Sequence, residues 1–333
     1  MKTLHVKKYC DINPFYHGIM FHHFHDGKNF KKSYSSINKR HFLKIINYVG
    51  KDNILNPKDF IKKLIKKNLE RKSLCLTFDD ALKSQIKIVL PLLDKLNIKA
   101  FFFIYTDIYS FKKKNLMEPT RDFIQTKFRD FNKFYDFFWK NFNFYYDSKI
   151  ILKFMNKNKK KIKKIKSIYH FYSIKEIEYR IIRDVFFDIE EFNSFMKKIF
   201  KIKNYKFEEN YKKIFMTEKE INFLIKKGHT VGLHSNTHPH NMSKLNYSQQ
   251  KLEYVDNIKN LKNINRSLNL LSMSHPTGSY NETTLRILKK LKIKIGFNSN
   301  TSTLKNTKKK INSSNLEIAR EDCRNILNFL EIN

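Results

Sequence analysis

Cysteine is scarce in this chain. Cys10, Cys75 and Cys323 are the only three in 333 residues, and no spacing pairs them. A disulfide-built scaffold and a cysteine-based zinc site are therefore excluded as organising features. Cys75, inside an apolar run, reads as a small core residue. Long apolar runs are missing too: no stretch approaches the ~20 residues that span a bilayer. The N-terminal segment lacks the uninterrupted apolar core of a secretory signal. A cytoplasmic address is the resulting expectation, with contact at the inner membrane face left open.

Acidic residues are few, 31 against 67 Lys and Arg, which gives a formal charge of +36 and a pI near 9.9. Such an excess ordinarily points toward nucleic acid. Here the lysines run along the whole chain rather than along one stripe. Asn, Ile, Phe and Tyr are abundant with them, the composition of an AT-rich genome acting on every surface position. No helix-turn-helix, zinc-finger or RNP-type signature is present. Nucleic acid is discounted as a partner, whereas anionic lipid or a phosphate-bearing substrate would suit a basic face.

What the chain does have is alternation. Strand-like segments at 17–22, 74–78, 99–105, 230–233, 269–273 and 294–298 interleave with helical patterns at 38–49, 83–96, 217–227, 247–263 and 282–291. Strands alternating with helices predict a parallel sheet or barrel in an α/β fold. Residues 107–215 break the rhythm. They hold the only Trp, Trp139, many Phe and Tyr, and the run Lys159-Lys160-Lys161. A structureless loop of that length is improbable inside a compact domain, so an inserted helical subdomain is expected. Ile124, Phe128, Phe131, Tyr135 and Phe138 recur at helical spacing, as do Phe186, Phe187, Phe192, Phe195 and Phe200 more loosely. An aromatic stripe of this kind is ordinarily core. The sharper alternative is a lid over an active site. The whole, 1–333, reads as a single catalytic domain carrying that insert.

Two motifs carry chemistry. Thr77-Phe78-Asp79-Asp80 ends a short apolar strand, and His234-Ser235-Asn236-Thr237-His238 follows another, Val231-Gly232-Leu233. Side chains alternate across a strand, so the two Asp should point in different directions. Pro239 biases His238 toward loop geometry. One Asp and two His suffice for a three-ligand metal site with a position left open, and the second Asp is left over as a base. An Asp pair alone is often a helix N-cap, and a loop His pair is often polar surface. Both together, at strand ends where α/β folds place their chemistry, are hard to reach by chance.

At these residues the chain resembles the polysaccharide deacetylases, the NodB-homology family. Leu76 to Asp80, Val89 to Leu93 and Ile98 to Ile104 look like that family's first strand–helix–strand unit. Met216 to Glu220 and Lys227 to His234 resemble the lead into its histidine motif, and Ser274 to Asn281 its following loop. The resemblance implies a (β/α) barrel with an incomplete set of strands. It also implies Asp80, His234 and His238 as metal ligands and Asp79 as the general base toward the hydrolytic water. The backbone N–H of Thr277 would join the metal in stabilising the oxyanion. Zinc suits these donors, and iron, cobalt or nickel also fit.

The chain departs from the family in several places. Ala81 stands where Gly is common, and Ser274 and Thr277 stand where an Arg, or a Tyr before Gly, is common. The usual Arg partner of the base is not visible; Arg320 and Arg286 are weak candidates, since an Arg on a solvated face is the commoner case. No His follows His275 to act as general acid. Gly18-Ile19-Met20-Phe21-His22 resembles the opening strand of a subgroup whose early His replaces the late one. His22 is then the candidate acid, with His23 and His25 as competitors and a satisfied polar rim as the bland alternative. The reading is a metal-dependent N-deacylase, acetyl or formyl, acting on an amino sugar of a nucleotide-linked or lipid-linked surface-glycan precursor. Its rivals are a catalytically silent glycan-binding protein on the same scaffold and a non-haem iron enzyme with the same ligand set.

Overall fold

The structure, a computed structural model, describes residues 9–33, 35–110, 115–128, 130–168, 172–300 and 311–332. The chain divides into two compact units, Met1–Lys114 with Phe215–Asn333, and Asn115–Ile214.

The first unit opens with α1 (Tyr9–Ile12), β1 (His17–Phe21), α2 (Lys39–Val49) and α3 (Pro57–Ile65). It continues through β2 (Leu74–Asp79), α4 (Leu90–Leu96) and β3 (Phe101–Ile104). The second unit holds α5 (Met117–Lys127), α6 (Phe131–Tyr145), α7 (Ser148–Ile168), α8 (Ile174–Ile181), α9 (Ile189–Ile202) and α10 (Phe207–Ile214). The first unit then resumes with α11 (Glu218–Lys226), β4 (Thr230–Leu233), α12 (Tyr247–Ile264), β5 (Ser272–Ser274) and α13 (Glu282–Lys290). It ends with β6 (Ile295–Asn300), β7 (Ile318–Asp322) and α14 (Cys323–Ile332).

Seven parallel strands close into a barrel in sequence order, β1 pairing with both β2 and β7. The expected (β/α) barrel is present, one strand short of the eight-stranded form. Strands covered on both faces need near-continuous apolar sequence, and Leu74-Cys75-Leu76 and Phe101-Phe102-Phe103-Ile104 supply it. Cys75, Phe101, Phe103, Ile295, Phe297 and Ile318 belong to one buried cluster, joined by Phe60 of α3. Phe21, Phe78 and Phe102 stack on each other on the other side of their strands. Alternation then puts Cys75, Thr77 and Asp79 on one face of β2 and Ile318, Arg320 and Asp322 on one face of β7. Gly18 is required where it stands. A Cβ there would lie 3.1 Å from Arg320 Cγ and from Thr77 Cγ2, so the missing side chain is what lets the Arg320 stem cross β1.

Helix starts are written into the sequence as capping boxes: Thr217 with Glu220, Asn246 with Gln249, and Asn281 with Thr284. Each satisfies backbone N–H groups that a helix end would otherwise leave bare.

The Asn115–Ile214 unit is helical around its own aromatic core. Phe123, Phe134, Phe138, Phe142, Phe192, Phe195 and Phe200 are buried together, with Trp139 packed partly against them. The aromatic spacing therefore marks a core, and Lys159, Lys160 and Lys161 lie exposed on α7.

Candidate active site

Asp79 closes β2 on the barrel's inner face and is almost wholly buried. Its carboxylate accepts from Arg320 Nη1 at 2.9 and 2.8 Å and from Ser274 Oγ at 3.2 Å. Burial raises its pKa, but Arg320, His234 and His22 together outweigh that and hold the carboxyl below the usual range. Arg320 is itself 1% exposed, and its Nε donates to the Asn298 carbonyl. The arginine absent from the 274–278 loop thus arrives from β7. Arg286 lies exposed on α13, where it donates to Thr283, so of the two arginines the structure brings only Arg320 to the base.

The chain then turns sharply. Asp80 and Ala81 both take positive φ, 75° and 53°. The turn is held by Asp80 N–H to Phe103 O and by Met216 N–H to Ala81 O. Left-handed backbone of this kind is why glycine is the natural residue at 81; the alanine methyl costs about 1–2 kcal/mol there. Beyond the turn a single π-helical turn, residues 85–89, buries Gln85, whose Nε2 donates to Asp79 O at 2.7 Å and His22 O at 3.0 Å. One side chain therefore ties together the ends of β1 and β2, a common use of such turns near functional sites.

The histidine loop follows β4 and is gripped by α12. Asn257, fully buried, accepts from His234 N–H and donates to Ile104 O and Thr106 Oγ1. One turn earlier Glu253 accepts from Asn236 N–H, Thr237 N–H and Thr237 Oγ1 at 2.7–3.0 Å. Ser235 and His238 take positive φ, which folds the loop back over the barrel end. His234 Nδ1 meets the Ser274 carbonyl at 2.9 Å, which fixes the protonated nitrogen and turns Nε2 toward Asp80.

Asp80, His234 and His238 each offer a ligand atom within 4.8 Å of the others, and all three are buried. Asp80 Oδ1 lies 3.4 Å from His234 Nε2 and 3.5 Å from His238 Nε2. Asp80 Oδ1 and His234 Nε2 make no hydrogen bond although both are buried. Buried polar atoms normally find partners. Two imidazoles and one carboxylate converging this way fit a divalent cation with an open position. Burial also pushes His238 down to about 3, favouring the neutral imidazole that ligates.

His22 comes to the same rim. Its Nε2 is 3.7 Å from Asp79 Oδ2 and 3.9 Å from Asp80 Oδ2, and its side chain is 30% exposed. His23 stacks beside it at 6.0 Å. His25 is held elsewhere, its Nδ1 at 2.8 Å from Ser36 Oγ, so of the three the structure sets His22 against the Asp pair and removes His25. Thr277 takes φ 53° in a one-turn 3-10 segment, and its Oγ1 donates to the His240 carbonyl, placing this loop beside the histidine loop. His275 is buried, bonded to Leu316 O and stacked on Tyr280.

The polysaccharide deacetylase family model matches residues 66–122 and 192–296. The chain belongs to the polysaccharide deacetylase family. Among solved structures, a deacetylase of Streptococcus pyogenes in complex with acetate is 17% identical, with TM-score 0.50 over 94% of this chain and 96% of that one. A de-N-acetylase from Aggregatibacter actinomycetemcomitans is 13% identical, with TM-score 0.52 over 94% of this chain and 99% of that one. Likeness at such identity speaks for the fold. No curated protein sequence matches.

In this family member, four supports of the site were not read from the sequence: β7, Gln85, and the α12 pair Glu253 and Asn257. The α12 residues, with Asn260, stand at i, i+4 and i+7, a polar stripe on a helix whose other buried positions include Tyr254 and Leu261. That spacing is a legible sign of a helix facing something polar.

Proposed function

We propose that this deacetylase is a metal-dependent hydrolase that removes an acetyl or formyl group from the nitrogen of an amino sugar in a surface-glycan precursor. The observation that carries the reading is the meeting, on one barrel rim, of the Arg320-clamped Asp79 with the Asp80, His234 and His238 donors. Zinc suits those donors best, and iron, cobalt or nickel are the alternatives. A cation held there would acidify a water and polarise the acyl oxygen.

The chain's own groups supply the rest. Asp79 receives the proton of the attacking water; Arg320 and Ser274 fix its orientation, and Arg320 with His234 and His22 draws down its basicity, so the cation's acidifying effect is needed as well. His22, open to solvent on one side, gives a proton to the departing amine, a poor leaving group unless protonated. The Thr277 N–H serves the oxyanion as a fixed donor. A cytoplasmic site of action and a nucleotide-linked or lipid-linked substrate belong to this proposal. So does the helical insert as a lid, whose shortening should impair large substrates more than a small activated ester.

The test is a panel of N-acetyl and N-formyl nucleotide sugars and lipid-linked glycans, assayed with added zinc or cobalt for released acid and new amine. Equimolar acid and amine support the reading. Glycan binding by metal-replete protein without release from any member overturns it in favour of a binding protein. Oxygen consumption would favour the iron enzyme.

A further inference from the structure

We propose that the helical unit docks on an anionic membrane surface through the corner between α6 and α7. Two observations in the same stretch support this. Within nine residues the corner presents four large apolar side chains to solvent: Phe144 at 80% exposure, Tyr145 at 40%, Ile150 at 58% and Leu152 at 63%. Isolated exposed apolar residues are ordinary, but four within nine residues mark an interaction surface: Phe144 and Tyr145 touch, and Ile150 and Leu152 flank the buried Ile151. The core residues of the same helices, Phe142 and Ile151, are buried beside them, so this apolar surface is additional to what folding needs.

The second observation is how charge is distributed. Nine of the 21 residues of α7 are lysine and none is acidic. The rest of the unit is nearly balanced, with 15 basic and 13 acidic residues. Within this unit the excess is gathered on the helix that begins at the apolar corner, although most of the chain's net positive charge lies in the other unit. Lys198 of α9 adds a cation 4.8 Å from the Tyr145 ring. Apolar side chains beside a lysine-rich helix face form the pattern of segments that lie in a bilayer interface. No helix among the described residues is long and apolar enough to cross a membrane, so the contact is peripheral. Charge complementarity favours lipid of negative headgroup, each lysine near such a surface contributing about a five-fold gain in binding.

The experiment uses the full chain without substrate, so its outcome is independent of the hydrolase reading. Vesicles of phosphatidylcholine alone and with phosphatidylglycerol are sedimented with wild-type protein, with Lys159→Gln/Lys160→Gln/Lys161→Gln, and with Phe144→Ser/Tyr145→Ser/Ile150→Ser/Leu152→Ser. Wild type should bind the anionic vesicles at least ten-fold better than the neutral ones. The lysine variant should lose on the order of 100-fold in that binding and a corresponding part, about a third, of the salt dependence that the nine α7 lysines confer. The apolar variant should lose binding while keeping its circular dichroism. Should that variant not fold, the milder Phe144→Ser/Leu152→Ser, at the two most exposed of these positions, provides the same test, and unchanged vesicle binding by it overturns the proposal. It is also overturned by equal binding to neutral vesicles. Binding of heparin with no vesicle binding would point to a soluble polyanion. Dimerisation abolished by the apolar changes, again without vesicle binding, would show that a second copy covers the corner.

Discussion

Replacing Arg320 with Met probes the site at its most tightly packed point. The guanidinium is 1% exposed and gives Asp79 two contacts below 3 Å, and Asp79 is equally buried. Methionine fills most of the stem's volume in the passage that Gly18 leaves open, so the loss is chiefly electrostatic. Removing one partner of a buried pair leaves a desolvated charge and costs about 3–5 kcal/mol. The Asn298 carbonyl also loses its donor, adding about 1 kcal/mol. Urea unfolding of Arg320→Met should therefore show about 4–6 kcal/mol less stability, with an unchanged m-value. Arg320→Met combined with Asp79→Asn removes the stranded charge and should recover about 2 kcal/mol or more, a coupling that a double-mutant cycle isolates. A single-variant loss below about 1 kcal/mol, or a double variant no more stable than the single, would refute the view that Arg320 exists to hold Asp79.

Other outcomes follow from the same geometry. Ala81→Gly relieves a left-handed alanine and should stabilise the protein by roughly 0.5–1 kcal/mol in urea, whereas destabilisation would mean that the methyl's packing outweighs the strain. Glu253→Gln puts an amide where three donors converge, so the histidine loop should loosen and zinc affinity fall about 10- to 100-fold; unchanged affinity would remove α12 from the account. Glu321, on the other face of β7 from Arg320, has its pKa raised by burial to about 7, so the folded state retains its proton while the unfolded chain loses it near 4.5. Stability should fall as pH rises through that window, by up to about 3.5 kcal/mol at about 1.4 kcal/mol per unit. Glu321→Gln should flatten the fall, and an unchanged slope between pH 5 and pH 8 would contradict it.

The barrel was legible because its signals are local. Apolar runs such as Leu74–Phe78 and caps such as Thr217 with Glu220 declare strand ends and helix starts within a few residues. The metal donors were legible because both motifs sit immediately after such runs. β7 was not: Ile318–Asp322 offers two apolar residues before Arg320, follows a Lys- and Asn-rich stretch, and becomes a strand through pairing with β1 and β6. Arg320 was open to reading as a surface arginine for the same reason. Its burial depends on a glycine some 300 residues earlier, and contact at that separation has no sequence signature. Gln85 was hidden differently, because only the π-turn aims it at the strand ends.

The central claim is that N-deacylation depends on a cation held by Asp80, His234 and His238. The most direct measurement pairs zinc content with acetate and amine release from an N-acetylated amino-sugar substrate. It would be made on wild type, chelated wild type, zinc-restored wild type and Asp80→Ala, His234→Ala and His238→Ala. Chelation should abolish release and zinc restore it, and the three variants should show zinc affinity lowered at least 100-fold and no release. Release that survives chelation, or variants that keep full zinc and full turnover, would contradict it.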